Sequence, residues 1–171
     1  GKRSSGTSQD ISFNKATACP VELLQPTHKN YTYKGGATLT DGLLGDKGFG
    51  TGRWLGFSGN DLEAVIDLKQ NTDVSSVSLN TCVDKGSWIF DARNIEVSVS
   101  ADGKSFTKVA SKSLPALEEQ TPDNIYTYEL TFPQTTTRYV KVTATSEHNI
   151  PEWHGGKGKP AFLFVDEISV K

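Results

Sequence analysis

Between residues 93 and 100 apolar and polar side chains alternate. Ile95, Val97 and Val99 share one parity; Glu96, Ser98 and Ser100 share the other. Successive side chains of a strand point to opposite faces, so this stretch is predicted to be a half-buried strand. Asp102-Gly103 is a turn pair, and residues 105–109 are predicted to return antiparallel with Phe106 inward. The same period of two runs through Tyr126, Tyr128, Leu130 and Phe132, and through Val140, Val142 and Ala144. Residues 62–68 and 74–79 read as two strands separated by the turn-forming cluster 69–73 (KQNTD). Residues 161–170 form the last predicted strand, whose inward parity switches near Asp166-Glu167 and so predicts a bulge. A short alternation over residues 10–15 predicts an opening strand, followed by a loop through Cys19 and Pro20. A turn-rich segment at residues 26–30 leads into an alternation of Tyr31 and Tyr33. Only residues 115–120 hint at a turn of helix.

Several short strands with turn signals between them argue an all-β sandwich. The stretch around which they are arranged is 39–54, LTDGLLGDKGFGTGRW. Seven of the 16 glycines fall between Gly42 and Gly59. Glycine loses the most backbone entropy on ordering, so this density reads as a tightly folded loop rather than a strand or helix interior. Oxygen-bearing side chains (Thr40, Asp41, Asp46 and Thr51) sit inside it, and Trp54 and Phe57 follow as apolar anchors. Trp54 precedes a predicted strand and reads as core.

At 171 residues the chain is long enough for one domain with a real core. Residues 1–9 read as a linker or cloning remnant and 10–171 as the domain. The net charge is −2 and no basic stripe occurs, which argues against nucleic acid as a partner. No run of about 18 apolar residues is present to span a membrane. Two cysteines, Cys19 and Cys82, make no disulfide framework and read as two buried thiols, though they could pair if adjacent.

Several phrases line up in order: NKATACPV (14–21), YKGGATLTDGLLGD (33–46), RWLGFSG (53–59), VIDL (65–68), SWIFDARNIEVSVSADGKSF (87–106), TRYVKVTA (137–144) and AFLFVDEISV (161–170). This series resembles the coagulation factor V/VIII type C, or discoidin-like, domain over residues 10–171. More narrowly, with WHGGKG at 153–158, it is similar to the C-terminal domain of Bacteroides chitobiases (β-N-acetylhexosaminidases) and to carbohydrate-binding module family 32. The resemblance implies a discoidin-like jelly-roll sandwich with its ligands at the loops of one end. It also implies an exported bacterial protein, secreted, periplasmic or on the cell surface.

The resemblance further implies one structural Ca²⁺. The matching positions are Asp41, Asp46, Thr51 and Glu167, with carbonyls near Thr38 and Leu44. A hard cation takes six to eight oxygens, and this set supplies that chemistry. Read without the resemblance, Asp41-Gly42 is a turn and Asp166-Glu167 a strand edge.

Sugar sites on sandwich loops need an aromatic face and planar hydrogen-bonding groups. Three loops offer them: Arg53 with Trp54 and Phe57; residues 84–88 with Trp88; and residues 147–160 with His148, Asn149, Trp153 and His154. Trp153, His154, Trp88, Arg53 and Asn149 are the candidate ligand residues, although the two histidines could instead order their loop. The galactose-reading residues of family 32 do not map here: the first region reads Leu55-Gly56-Phe57, the second Asp84, Lys85 and Trp88.

A catalytic role finds no support in the sequence. Glycosidases need two carboxyl groups converging across a sugar, whereas Glu118-Glu119 and Asp166-Glu167 are adjacent pairs. His148 and His154 are separated by Pro151, which forbids a zinc-binding helix. The expectation is a non-catalytic, monomeric glycan-binding module attached to a glycoside hydrolase catalytic domain. Two other classes stay open: a spacer or protein-docking domain, and a lipid-binding module using Phe49 with Lys47 and Arg53.

Overall fold

A computed structural model describes residues 13–45 and 54–171. Seven strands run in the order β1 (Val21–Leu23), β2 (Leu55–Ser58), β3 (Leu62–Val83), β4 (Asn94–Ser100), β5 (Thr107–Ser113), β6 (Asn124–Thr145) and β7 (Phe162–Val170). Their ladders are antiparallel, in the order β2-β7-β3-β6-β4-β5, with β1 on β3.

Two of the strands are long enough to serve both layers of a sandwich. The first part of β3 pairs with β1 and with residues 139–144 of β6. Its second part pairs with residues 124–137 of β6 and with β7. One layer is therefore β1, early β3, late β6, β4 and β5; the other is β2, β7, late β3 and early β6. A single buried cluster joins them, with Ile66, Val142 and Ile95 from the first and Leu79, Leu163 and Ile168 from the second. Each such side chain contributes about 1.5–3 kcal/mol on full burial.

The cluster at residues 69–73 is thus not a turn between two strands. The register slips between Asp67 and Thr72 while the strand continues, with Lys69 at φ 73° supplying the bend. Late β6 and early β6 are likewise one strand rather than two. Residues 13–15, the described part of the predicted opening strand, form no strand: the Asn14 carboxamide accepts the Ala16 amide at 2.8 Å and closes a turn instead. The loop predicted after Cys19 contains β1, and a short 3₁₀ turn, Lys29–Tyr31, replaces the alternation at the tyrosines. Residues 115–120 are not helical; Glu118 and Thr121 close a simple turn. Val99 is half-buried while Ser100 is buried, its amide donating to the Thr137 hydroxyl at 3.2 Å and its carbonyl accepting from that hydroxyl at 2.8 Å. Phe106 is half-buried, with the Lys141 ammonium 5.6 Å from its ring centroid.

The bulge at the end of the chain is present. Leu79 pairs with Ile168 and Thr81 with Val165, so Asn80 alone faces both Asp166 and Glu167. Cys19 and Cys82 are buried in separate clusters and form no disulfide with each other.

The registers also gather the loops. Asn94 pairs with both Ser113 and Thr145, Val83 with Asn124, and Ser58 with Phe162. Residues 84–93, 114–123 and 146–161 therefore share one end of the sandwich. Lys15 and Lys171 lie at the other end, bonded to Val170 and Ser76.

Candidate functional site

Trp54 is fully buried and lies against Gly45, the last residue of the described segment 13–45. A Cβ on Gly45 would fall 2.2 Å from its indole, so only glycine lets that backbone lie flat on the ring. The Gly45 amide then donates to Asp166 Oδ2 at 2.8 Å, and Asn80 Nδ2 donates to the same oxygen at 3.0 Å. The bulge thus splits the acidic pair. Asp166 holds Gly45.

Glu167 points where Asp41 and Gly42 begin the loop. Its Oε2 accepts the Gly42 amide at 3.0 Å, while its buried Oε1 has no partner among the described residues. Burial first, and then the negative charges of Asp41 and Asp166, push its carboxyl up to about 9. Asp41 accepts the Leu43 amide at 2.9 Å and pairs with Lys34 at 3.3 Å. A buried, unpartnered carboxylate oxygen beside a second carboxylate fits a hard cation. Asp46, Thr51 and Arg53 lie outside the described residues, as do Lys47 and Phe49. Among the described residues no three His, Cys, Asp or Glu side chains converge as a metal set.

At the loop end, residues 84–88 form a short turn. Asp84 caps it, accepting the Ser87 amide at 3.3 Å, and Trp88 closes it in the left-handed region at φ 65°. This conformation is uncommon for a bulky residue. It is held because the Trp88 carbonyl accepts the Phe162 amide at 2.8 Å and the Trp88 amide donates to Lys85 at 3.1 Å. The indole is half-buried: Gly156 abuts one part, where a Cβ would come within 3.0 Å, and Lys159 Nζ stands 5.8 Å from the ring centroid.

His154 ties this turn to the 147–160 loop. Its Nδ1 accepts the Gly156 amide at 2.9 Å, which leaves the ring proton on Nε2 for the Lys85 carbonyl at 2.7 Å. Trp153, half-buried, stacks on buried Phe90 with centroids 5.9 Å apart and an interplanar angle of 19°. His154 meets Trp88, Trp153 and Phe90 edge-on at 5.9, 5.7 and 5.3 Å. Trp88, Trp153 and His154 therefore form one aromatic group. Asn149 is exposed, but its amide donates to Glu147 Oε1 at 3.1 Å. His148 stands apart from the group, donating to Asp61 Oδ1 at 2.7 Å.

Sequence reasoning missed the bracing of this end. Arg93 pairs with buried Glu147 at 2.9 Å, and Lys85 pairs with Asp123 at 2.7 Å and reaches the Thr121 carbonyl. Phe90 was legible in principle as the residue two after Trp88, on the same parity.

The family model described as "F5/8 type C domain" matches residues 22–159. Solved structures share the fold at low identity. Chitosan-binding module 1 of a chitosanase/glucanase from Paenibacillus sp. IK-5 aligns with TM-score 0.58 and 16% identity, covering 94% of this chain and 99% of that one. The lectin domain of lectinolysin, complexed with Lewis B antigen, gives 0.60 and 19%, covering 94% and 97%. CBM32 of AlyQ, in complex with 4,5-unsaturated mannuronic acid, gives 0.53 and 16%, covering 96% and 98%. No curated protein matches the sequence.

Proposed function

The chain belongs to the F5/8 type C domain family, and from that premise we propose that it is a non-catalytic carbohydrate-binding module that takes terminal Gal, GalNAc or GlcNAc-type sugars at the loop end. The observation carrying this is the Trp88–Trp153–His154 group, braced by two loops at the end remote from Lys15 and Lys171. Half-buried indoles offer apolar faces to the C–H side of a pyranose. Exposed Asn149 and the lysines of the same loop supply hydroxyl partners. A neighbouring fold described as a chitosan-binding module, and two in complex with Lewis B antigen and 4,5-unsaturated mannuronic acid, support the same ligand class.

His154 works here by orientation, since both its ring nitrogens are engaged. Glu167 and Asp41 would hold a structural Ca²⁺, with Asp46 and Thr51 as the remaining side-chain ligands; the ion would supply charge neutralisation that fixes the loop. Glu118 and Glu119 are exposed, whereas Asp166 and Glu167 are buried in the bulge. Neither pair forms a cleft for glycosidic cleavage.

One aromatic face and a few hydrogen bonds give weak single-site affinity, roughly 0.1–1 mM or about −4 to −5.5 kcal/mol. Its use is then to tether a catalytic domain, in our reading an exported glycoside hydrolase of the chitobiase type, near its substrate. A glycan array with Ca²⁺ present, run beside Trp153→Ala, tests this. Binding that vanishes in the variant is expected. Silence across the array with an intact fold would instead favour a spacer or protein-docking domain.

A further inference from the structure

A second concavity lies beside the loop group, between the 114–121 segment and early β6. It has a volume of about 230 Å³ and is lined in part by Asp91, Leu117, Glu118, Thr121, Tyr126 and Tyr128. This is below the roughly 300 Å³ at which pockets for drug-sized ligands begin, so it suits one ring-sized ligand. Leu117 is shared with the cluster of Phe90, Trp88 and Trp153, which makes the pocket a neighbour of the loop site with different walls.

Its chemistry is one-sided. Asp91 is buried, with 7% of its surface exposed. Its Oδ1 accepts the Thr81 hydroxyl at 2.7 Å and the Ala92 amide at 2.8 Å; its Oδ2 accepts the Tyr128 hydroxyl. These donors are all neutral, and no described lysine, arginine or histidine pairs with it. Burial accordingly pushes its carboxyl above the usual range, against the pull of these hydrogen bonds. Glu118 adds a second acid at the exposed lip. Two cations of this end of the sandwich are engaged elsewhere: Lys85 on Asp123 and Arg93 on Glu147. Tyr126 and Tyr128 supply aromatic walls, and aromatic faces attract cations. A buried carboxylate without a counter-ion, an acidic lip and two tyrosines select for positive charge on a small ring.

The geometry points to this pocket as a second ligand site for a sugar bearing a free primary amine, whose ammonium faces Asp91 and whose ring lies between Tyr126 and Leu117. The choice of a sugar among small amines rests on the glycan-binding reading of the domain; the selection for a cation rests on the pocket alone. N-Acetylation removes that charge, so the pocket distinguishes an amino sugar from its acetylated form.

The test titrates the ¹⁵N-labelled chain at neutral pH with D-glucosamine and, separately, with N-acetyl-D-glucosamine. Glucosamine is expected to shift the amides of Leu117, Thr121, Tyr126 and Tyr128, with affinity at least tenfold above the acetylated sugar for those signals. Asp91→Asn is expected to abolish these shifts. Glu118→Lys, an exposed change that leaves the fold alone, is expected to weaken them at least tenfold, and it decides the matter if Asp91→Asn does not fold. Trp153→Ala is expected to leave them within twofold. Equal binding of both sugars at these residues, absence of the shifts, or their survival in Glu118→Lys would overturn the proposal. Loss of neutral-glycan binding with these shifts retained would remove the loop site and leave the pocket standing.

Discussion

His154 donates from Nε2 to the backbone carbonyl of Lys85 at 2.7 Å, joining two loops that lie 69 residues apart in the chain. With the Gly156 amide on Nδ1, the imidazole is a cross-brace that sets the spacing of Trp88 and Trp153. Removing it takes one of two donors from the Lys85 carbonyl, the Trp88 amide being the other, and takes the acceptor from the Gly156 amide, a loss of about 1–2 kcal/mol. His154→Ala is therefore expected to lower the melting temperature by a few degrees and to weaken glycan binding at least tenfold. His154→Gln, whose amide nitrogen reaches the Nε2 position, is expected to restore much of both. Calorimetry with a paired glycan titration checks this; a ligand role independent of the brace would show as unchanged melting with lost binding.

Gly45 is pinned between Trp54 and Asp166. An added methyl would fall 2.2 Å from the Trp54 ring, which is fully buried. Overpacking of this kind costs about 1–3 kcal/mol. Gly45→Ala is expected to destabilise by that amount in urea denaturation, whereas Gly155→Ala, with nothing within 4 Å, is expected to be near neutral. Equal effects at the two positions would contradict the packing of Gly45 on Trp54.

The carboxyl of Glu167 gives a pH dependence whose sign can be worked out. Its folded value is raised to about 9, above the ordinary 4.5, so between these limits the folded chain holds a proton that the unfolded chain has lost. The metal-free protein should then lose stability as pH rises from about 4.5 towards about 9. If Ca²⁺ takes the proton's place, it should stabilise more at pH 8 than at pH 5. At about one hundred times its Kd, bound ion contributes about 2.7 kcal/mol. For a domain of this size that is about 5–10 °C. Glu167→Gln is expected to flatten the pH slope and abolish the response to Ca²⁺. A melting temperature indifferent to Ca²⁺ at pH 8 would remove the ion from the proposed function.

How much of this was legible from the chain depends on how local each feature is. The bulge at Asp166-Glu167 could be read from parity alone, because an extra residue must flip the inward face of a strand. The strands through Ile95, Val140 and Leu130 were legible for the same reason. The candidate aromatics and His154 could be named from residue type. The use of His154 as a brace could not, since its partner is a backbone carbonyl that no side-chain pattern reveals. Likewise Asp166 and Glu167 are adjacent and both acidic, yet Asn80 and Gly45 engage only the first. Asp91 lies within the 87–106 stretch, where its sequence neighbours give it no distinguishing mark. Its meaning comes from Tyr128 and from the 114–121 segment brought over it.

The bend in β3 shows the same limit and carries the last prediction. Lys69–Asp73 has the composition of a hairpin turn, but a strand crossing between layers needs the same exposed, polar, bend-tolerant residues. Composition cannot separate the two; the difference lies in what pairs with the flanks, and Asp67 and Thr72 both pair with β6. The crossing requires Lys69 at φ 73°, where a Cβ crowds the following carbonyl at a cost of about 1–2 kcal/mol. Lys69→Gly relieves that crowding but adds freedom to the unfolded chain, so a net gain of up to about 1 kcal/mol is expected. Lys69→Val, branched at Cβ, is expected to lose 1 kcal/mol or more on the same reasoning. Chemical denaturation of the two variants, read by one probe near Trp54 in the second layer and one on β4 in the first, should give coincident midpoints for each variant. Stabilisation by valine and destabilisation by glycine would mean that the strand crosses without a left-handed residue.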